Sequence, residues 1–204
     1  MRESFRVGLP IGLHFFAEVG VFALAGMLAS RLGQSSMAAH QVAMTYGSLS
    51  FTVAMGIGAA GSTRVGWAVG RGDDPAARRS AWVAFATGVT FMTLTALVFL
   101  VFPEALVRLM TNQPDVYAVA VPLMEVAGVF QIADGIQGVG AGVLRGVGDT
   151  RFTFFANLVG HYVIGLPIAL WFGFALGWGV HGIWWGLCTG LFFVAVALVW
   201  RFHR

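Results

Sequence analysis

The sequence contains no lysine, only one cysteine and few charged residues of any kind. All twelve basic residues are arginine, which excludes chemistry that needs a lysine amine, such as Schiff-base formation, pyridoxal phosphate anchoring and the P-loop contact with phosphate. The lone Cys188 excludes an intrachain disulfide framework and any CxxC metal or redox site. These absences remove several large classes of enzyme.

Charged residues make up only 10% of the 204-residue chain, whereas 58% of its residues are hydrophobic. Soluble domains have about 25% charged residues, so the chain has too little polar surface to cover a water-soluble globule. We therefore expect a protein embedded in the lipid bilayer. The net charge of +3 does not require a nucleic acid partner, and we predict none, because cytoplasmic loops of membrane proteins carry the same excess of arginine.

Hydropathy divides the chain into six apolar segments, each with the roughly 20 residues that a helix needs to cross the hydrocarbon core. They predict an all-α membrane protein with one six-span domain over 1–204, whose spans lie near 7–30, 38–61, 80–102, 116–144, 153–176 and 179–200. Asp74-Pro75 predicts the N-cap and first turn of the third span. A short amphipathic helix is expected at Pro103–Met110. The fourth and fifth spans should open at Pro114-Asp115 and after the turn Gly146–Thr150.

The arginines predict which ends of the spans lie in the cytoplasm. Ten of the twelve fall on or nearest one side of the membrane, and only Arg31 and Arg108 fall on the other. This positive-inside bias and the even number of spans predict that both termini are cytoplasmic, in a multi-pass protein of the inner (plasma) membrane. The first apolar stretch is long and contains Glu18, which is not typical of a cleavable signal.

Four of the six spans carry polar residues at helical spacing, which a helix that contacts only lipid does not need. We expect the first, second, fourth and fifth spans to surround a polar cavity, with the third and sixth spans more peripheral. The candidates for lining this cavity are His14, Gln41, Thr45, Ser48, Gln131, Asn157 and His161. The alternative is hydrogen bonding between helices without a cavity, which hydroxyl and amide side chains commonly provide.

Two carboxylates within the spans favour a cavity. Glu18 lies near the middle of the first span, and Asp134 lies at least ten residues from either end of the fourth. An ionised carboxylate at the bilayer centre costs several kcal/mol, so it is expected to face a water-filled path, a proton or a cation. Holding and releasing such an ion is what ion-coupled transport requires. A structural carboxyl bonded to a neighbouring helix is the alternative for both residues. His14 is placed to share the proton of Glu18, and a structural, hydrogen-bonded histidine is an equal alternative for it.

The other ionisable residues of the spans receive structural interpretations. Glu125 is nine residues before Asp134 and therefore on the opposite face of its helix, where it is expected to be a rim or packing residue. His40 and His181 are expected at the outer interface. For His161, structural hydrogen bonding is as reasonable as a role in the cavity.

Two motifs resemble enzyme signatures without their required context. Gly56–Gly61 matches GxGxxG but lies inside an apolar helix with no preceding strand. Gly146–Asp149 matches the GxGD of intramembrane aspartyl proteases, but Asp149 is expected in a cytoplasmic turn, where helix capping explains it better than a carboxylate dyad. We find no catalytic constellation, so no enzyme is predicted.

Several motifs, in order along the whole chain, resemble the multidrug and toxic-compound extrusion (MATE) transporters. The runs GLPIGL at 8–13 and EVG at 18–20 are similar to the seventh span of that family, and AAHQVA at 38–43 to the start of the eighth. GWAVGRGD at 66–73 resembles the following loop. QIADGIQ at 131–137 and GVLRGVGDTR at 142–151 resemble the tenth span and its cytoplasmic turn.

The resemblance implies export of cationic or amphipathic small molecules by antiport against Na⁺ or H⁺, with no cofactor besides that ion. In the family, the acids that match Glu18 and Asp134 bind the coupling cation. They would also be the site of a bound Na⁺, with no other metal expected.

Family members have two six-helix lobes, and the chain resembles only the second one. We therefore expect a half-transporter or a fragment that works with a second six-helix lobe or as a homodimer. The alternatives are a flippase for lipid-linked precursors from the same superfamily, and a non-transporting membrane partner or inert truncated lobe.

Overall fold

A computed structural model describes the backbone of residues 2–203 and the side chains of residues 8–203. Within this range the chain is helical and has no strand, and its α-helices are α1 (Arg2–Arg31), α2 (Gln34–Gly70), α3 (Asp74–Val101), α4 (Pro103–Met110), α5 (Pro114–Gly146), α6 (Thr150–Leu158), α7 (Leu166–Leu170) and α8 (Gly179–His203). Two π-helical segments, Val159–Gly165 and Trp171–Ala175, join α6 to α7 and end the fifth span.

Six helices of the described chain are long and apolar enough to cross a membrane, as the sequence predicts. They cover Gly8–Arg31, Gln34–Gly70, Asp74–Val101, Pro114–Gly146, Thr150–Ala175 and Gly179–His203. The second span has 37 residues, which at 1.5 Å per residue is about 55 Å and exceeds the roughly 30 Å hydrocarbon core. α2 therefore starts and ends well outside the predicted segment 38–61.

Polar and proline residues begin the helices close to the predicted places. The third span differs by one residue: Asp73, not Asp74, is the N-cap, and its carboxylate accepts a hydrogen bond from the Ala76 backbone N–H at 2.9 Å. Asp74 is instead the first helical residue. Asp149 caps α6 as predicted, because its Oδ1 accepts from the Phe152 N–H at 3.3 Å. Its other oxygen pairs with Arg201 at 2.7 Å, which ties the α5–α6 turn to the end of α8.

The short α4 is a helix with the predicted bounds Pro103–Met110. Tyr46 of α2 donates a hydrogen bond from its hydroxyl to the Leu106 carbonyl at 2.8 Å. The Arg108 guanidinium lies 5.5 Å from the centre of the Tyr117 ring at the start of α5. These contacts hold α4 across the ends of the second and fourth spans.

The core of the lobe lies around α5 and α8. In the most apolar stretch of each span, 56% of α5 and 61% of α8 is buried, against 28–33% for the other four spans. The expectation that the sixth span is peripheral is therefore wrong. A polar stripe reports where polar groups lie along a helix, and an apolar helix without one can be either buried or lipid-facing.

Glycines explain why α8 packs so closely on the fifth span. A Cβ added at Gly182, Gly186 or Gly190 would meet the backbone of Phe172, Ala169 or Gly160, respectively. Small residues allow helix backbones in membranes to approach this closely. The series on α8, which the sequence leaves open to an intramolecular or a dimer contact, thus serves packing within the chain.

The fifth span widens into π-helical turns where α8 approaches it. Pro167 has no backbone N–H to donate to the preceding turn, and it is the second residue after the first π-helical segment. Gly160 and Gly165 in that segment contact the backbone of α8. The face of these turns that carries Gly160, Gly165 and Gly173 is buried against α8, and membrane helices tolerate irregular turns where protein covers them.

Candidate functional site

A cavity of about 670 Å³ opens between α1, α2, α5 and α8. Both predicted carboxylates, Glu18 and Asp134, line it. Most of the wall is apolar, and four methionines contribute to it: Met27, Met37, Met44 and Met55. Unbranched thioether side chains adapt to ligands of different shapes. The cavity therefore combines an adaptable apolar wall with two acidic groups.

Glu18 is held by two neighbouring side chains. Its Oε1 accepts a hydrogen bond from Gln137 Nε2 of α5 at 3.2 Å. Its Oε2 lies 3.5 Å from His14 Nε2, one turn earlier on α1. Glu18 is 7% exposed and still lines the cavity, so an ion or ligand in the cavity can contact it.

Asp134 has a different environment on α5. Its side chain is buried and lines the cavity, and no residue of the described chain donates a hydrogen bond to its carboxylate. It lies near enough to Glu18 for the two carboxylates to interact electrostatically. Two acids that face one low-dielectric space repel each other unless a proton or a cation is shared between them.

The other predicted lining residues do not all reach this cavity, and His14 is buried and lines a separate small cavity with Arg145. Gln41 and Ser48 of α2 line the cavity with Glu18 and Asp134. Thr45 does not: it is exposed, and its hydroxyl donates to the Gln41 carbonyl at 2.8 Å. Its short side chain is satisfied along its own helix, as threonine in a helix often is.

Gln131, Asn157 and His161 are buried outside the cavity wall. Gln131 Nε2 donates to Ser50 Oγ at 2.5 Å, which joins α5 to α2. None of these three residues is among the described residues that line this cavity. The fifth span instead contacts α1, where the centres of the His161 and Phe22 rings are 6.4 Å apart. Instead of the fifth span, α8 lines the cavity, through Trp184.

Trp184 and His40 are site residues that sequence reasoning misses. Trp184 Nε1 donates to His40 Nδ1 at 3.1 Å, and both residues line the cavity. His40 is 2% exposed, so its side chain is enclosed by protein, while its position at the outer interface stays a prediction. Trp184 could not be identified from the sequence because it lies in an apolar segment. A tryptophan there is as typical of the membrane interface as of a binding site.

The two enzyme-like motifs have structural roles. Gly58 of the GxGxxG match lies against the backbone of Gly138 on α5. Asp149 of the GxGD match is the cap of α6.

In the described part of the chain no three His, Cys, Asp or Glu residues are grouped as metal ligands would be. A cation at Glu18 and Asp134 would have to complete its shell with amide oxygens or water.

The family model MatE matches residues 10–171 of the chain. The chain belongs to the MatE family. It is 43% identical to a probable multidrug resistance protein NorM of Burkholderia pseudomallei and 42% identical to one of Pseudomonas putida, in both cases over the whole of this chain. Among solved structures it is similar to the eukaryotic MATE transporter AtDTX14, with a TM-score of 0.93 and 23% identity over 100% of this chain.

This MatE chain spans less than half the length of those proteins: 45% of the Burkholderia relative, 46% of the Pseudomonas relative and 46% of AtDTX14. Its fold is one lobe of a MATE transporter, with six membrane-spanning helices. It is a multi-pass membrane protein of a family of multidrug transporters, not of enzymes.

Proposed function

We propose that this MatE chain is the cation-coupled lobe of an exporter that exchanges Na⁺ or H⁺ for cationic or amphipathic small molecules. The observation that carries the proposal is the pairing of Glu18 and Asp134 on the wall of one largely apolar cavity. An amphipathic cation would bury its apolar part against the methionine and aromatic side chains. Its charge would be attracted by the same carboxylates that hold the coupling ion.

If the ion and the drug bind to the same two carboxylates, the binding of one is coupled to the binding of the other. A proton or Na⁺ neutralises the carboxylates and lowers their affinity for a cationic drug, and the drug in turn lowers their affinity for the ion. Such mutual exclusion is reciprocal by thermodynamic linkage. No cofactor is needed for this exchange.

The charge of the cavity favours an exporter of cations over a flippase for lipid-linked precursors. A flippase would need basic groups for the phosphate of its substrate. Among the residues whose side chains the structure describes, none that lines the cavity is an arginine, whereas two are carboxylates.

We further propose that a second six-helix lobe, or a second copy of this chain, faces the cavity. The relatives are more than twice as long as the chain. Alternating access in transporters built from repeats requires one repeat to move against the other around the binding site. The chain would then act as a half-transporter, and a lobe without such a partner would bind drugs without exporting them.

The test is a chimera in which this chain replaces the matching half of the Burkholderia NorM relative. Ethidium accumulation is followed in an efflux-deficient bacterial host. We expect the chimera to lower accumulation, and Glu18→Gln or Asp134→Asn to abolish the effect while membrane insertion stays normal. Glu125→Gln, an exposed acid on the same helix as Asp134, is the matched control and should export normally. Unchanged export by Asp134→Asn would refute the assignment of the site.

A further inference from the structure

A second cavity, of about 530 Å³, lies where α2, α5 and α8 end and α3 begins. It shares none of its described lining residues with the cavity of the proposed exporter. Its wall contains two arginines and two aspartates: Arg78, Arg201, Asp74 and Asp149. The cavity therefore presents both signs of charge, in a space of the size that small-molecule sites commonly have.

One arginine and one aspartate pair with each other in this wall. Arg201 Nε donates to Asp149 Oδ2 at 2.7 Å, and the guanidinium lies 5.4 Å from the centre of the Phe152 ring. These two contacts fix the position of the guanidinium. Among the described residues, its two terminal nitrogens donate no hydrogen bond. Arg201 can therefore keep its contact with Asp149 and still donate to an oxygen in the cavity.

The other arginine and aspartate do not form an ion pair. Asp74 and Arg78 are one turn apart on α3, a spacing at which an acid and an arginine commonly attract each other. Both line the cavity, yet within the described chain neither has an ion-pair partner or a side-chain hydrogen bond. One carboxylate and one guanidinium are thus left to a ligand or to water, about 6 Å apart along the helix axis.

Exposed tryptophans place this cavity at the level of the lipid headgroups. Trp67 of α2, Trp82 of α3 and Trp200 of α8 are 66%, 47% and 49% exposed, and each is within four residues of a residue that lines the cavity. Tryptophan is enriched at the membrane–water interface. Phe202 lines the cavity, and its ring centre is 6.5 Å from that of Trp82. Apolar side chains therefore extend from the cavity to the exposed surface of α3.

We propose that this cavity binds a lipid whose zwitterionic headgroup carries a phosphate and a primary ammonium, as phosphatidylethanolamine does. The phosphate accepts hydrogen bonds from Arg78 and from the terminal nitrogens of Arg201, since the guanidinium fork matches phosphate oxygens. The ammonium donates to the Asp74 carboxylate. A purely anionic headgroup would bring a negative charge beside Asp74 with no ammonium to offset it. A choline headgroup has no N–H to donate.

A membrane lipid fits this site better than a soluble molecule with the same headgroup. The cavity lies beside interfacial tryptophans, and the rings of Phe202 and Trp82 offer an apolar surface to an acyl chain. Charged pockets between membrane helices are known to bind lipid headgroups. The bound lipid ties α3, through Asp74 and Arg78, to α8, through Arg201. This inference does not rest on the proposed export of drugs.

The test measures which lipid the purified full chain binds first. The chain in a neutral detergent is titrated with phosphatidylethanolamine, phosphatidylcholine or phosphatidylglycerol of identical acyl chains. Native mass spectrometry gives the dissociation constant of the first bound lipid. We expect phosphatidylethanolamine to bind about tenfold more tightly than the other two, the effect of one additional hydrogen bond to a charged group. Glycerophosphoethanolamine, the same headgroup without acyl chains, should not displace it at equal concentration.

Two substitutions separate the ammonium contact from the phosphate contact. Asp74→Asn should abolish the preference for phosphatidylethanolamine over phosphatidylcholine and leave the affinity for phosphatidylcholine unchanged. Arg78→Gln should weaken the binding of phosphatidylethanolamine about tenfold, and Arg78→Lys, which retains the charge, should weaken it less. The matched controls are Arg79→Gln and Asp115→Asn, an exposed acid in the first turn of α5. Both should bind like the unmodified chain.

Several outcomes would overturn the proposal. Equal affinities for the three lipids would show that the headgroup is not recognised, and tighter binding of phosphatidylglycerol would show a site for anions. A preference that survives in Asp74→Asn, or one that Asp115→Asn also removes, would place the lipid elsewhere. Displacement by glycerophosphoethanolamine at equal concentration would make the ligand a soluble zwitterion. Because the lipids are compared on the same variant, a general loss of stability cannot imitate a loss of this preference.

Discussion

Among the described residues, eight buried side-chain polar atoms have no hydrogen-bond partner. One is His181 Nε2 of α8, and the other seven belong to α1, α5 and the fifth span: His14 Nδ1, the Tyr117 hydroxyl, Gln131 Oε1, Gln137 Oε1, both amide atoms of Asn157, and His161 Nε2. Buried polar groups in proteins are almost always paired with protein or with ordered water. This layer of α1, α5 and the fifth span is therefore expected to be hydrated, which supplies polar surroundings for a proton or a cation close to the cavity.

The hydrogen bond between Trp184 and His40 should contribute measurably to stability. Trp184→Phe keeps the aromatic packing but leaves His40 Nδ1 buried without a donor, which costs about 1–3 kcal/mol. Reversible unfolding of the chain in mixed micelles measures this loss. Trp185→Phe, at the neighbouring and exposed position, should change the free energy of unfolding by less than about 0.5 kcal/mol. Equal effects of the two substitutions would contradict the assignment of the bond.

At the scale of helices, close approach of α2 and α5 depends on glycine. A Cβ added at Gly142 would fall on the backbone of Gly58, and one added at Gly146 would meet the Ser62 carbonyl at 2.6 Å. These glycines lie along the contact between α2, the longest helix, and the largely buried α5. Because backbone cannot move aside as a side chain can, the contact tolerates no larger residue without separation of the helices.

Gly142→Ala should destabilise the lobe by about 1–3 kcal/mol, as overpacking does in well-packed cores. Gly56→Ala lies on the same helix pair, at a position where an added Cβ meets nothing within 4 Å. It should be neutral or stabilising, since alanine favours a helix over glycine by about 1 kcal/mol. Comparing the unfolding of the two variants tests whether α2 and α5 touch as described. A Gly142→Ala variant as stable as the unmodified chain would contradict this packing.

The elements that the sequence predicts well are those with local signals. Apolar length identifies six spans, and prolines and aspartates identify helix starts to within one residue, with Asp73 in place of Asp74. The burial of α8 is not predictable in this way, because an apolar helix has the same composition whether it faces lipid or protein. Only the spacing of Gly182, Gly186 and Gly190 indicates that α8 packs closely on another helix. Which helix these glycines contact depends on the tertiary structure.

For the molecule as a whole, the arrangement of arginines predicts that both termini and the α2–α3 and α5–α6 turns are cytoplasmic. Arg71→Cys and Asn112→Cys place single exposed thiols at opposite ends of the bundle. A thiol reagent that cannot cross membranes should label Asn112→Cys in intact spheroplasts and Arg71→Cys only after lysis. Cys188 is 1% exposed and should remain unlabelled in both conditions. The reverse pattern would contradict the predicted orientation.

The two carboxylates of the site could be predicted from the sequence, because a charge in hydrocarbon needs a functional reason. The spacing on α2 selects Gln41 and Ser48, which line the cavity, and Thr45, which is not among the described residues that line it. His40, Trp184 and Gln137 depend on which helices meet around the cavity, and periodicity along one helix carries no information about that. The same limit explains why Asn157 and His161 were expected in the wall of the cavity.

The central claim is that one cavity binds the drug and the coupling ion in competition at Glu18 and Asp134. The most direct test is equilibrium binding of ethidium to the purified chain across a range of pH and Na⁺ concentration. The claim predicts that protons or Na⁺ weaken ethidium binding about tenfold, a typical size for coupling between ligands. It also predicts that the double variant Glu18→Gln, Asp134→Asn loses this dependence. Ethidium binding that ignores both ions in the unmodified chain, or competition that survives in the double variant, would contradict it.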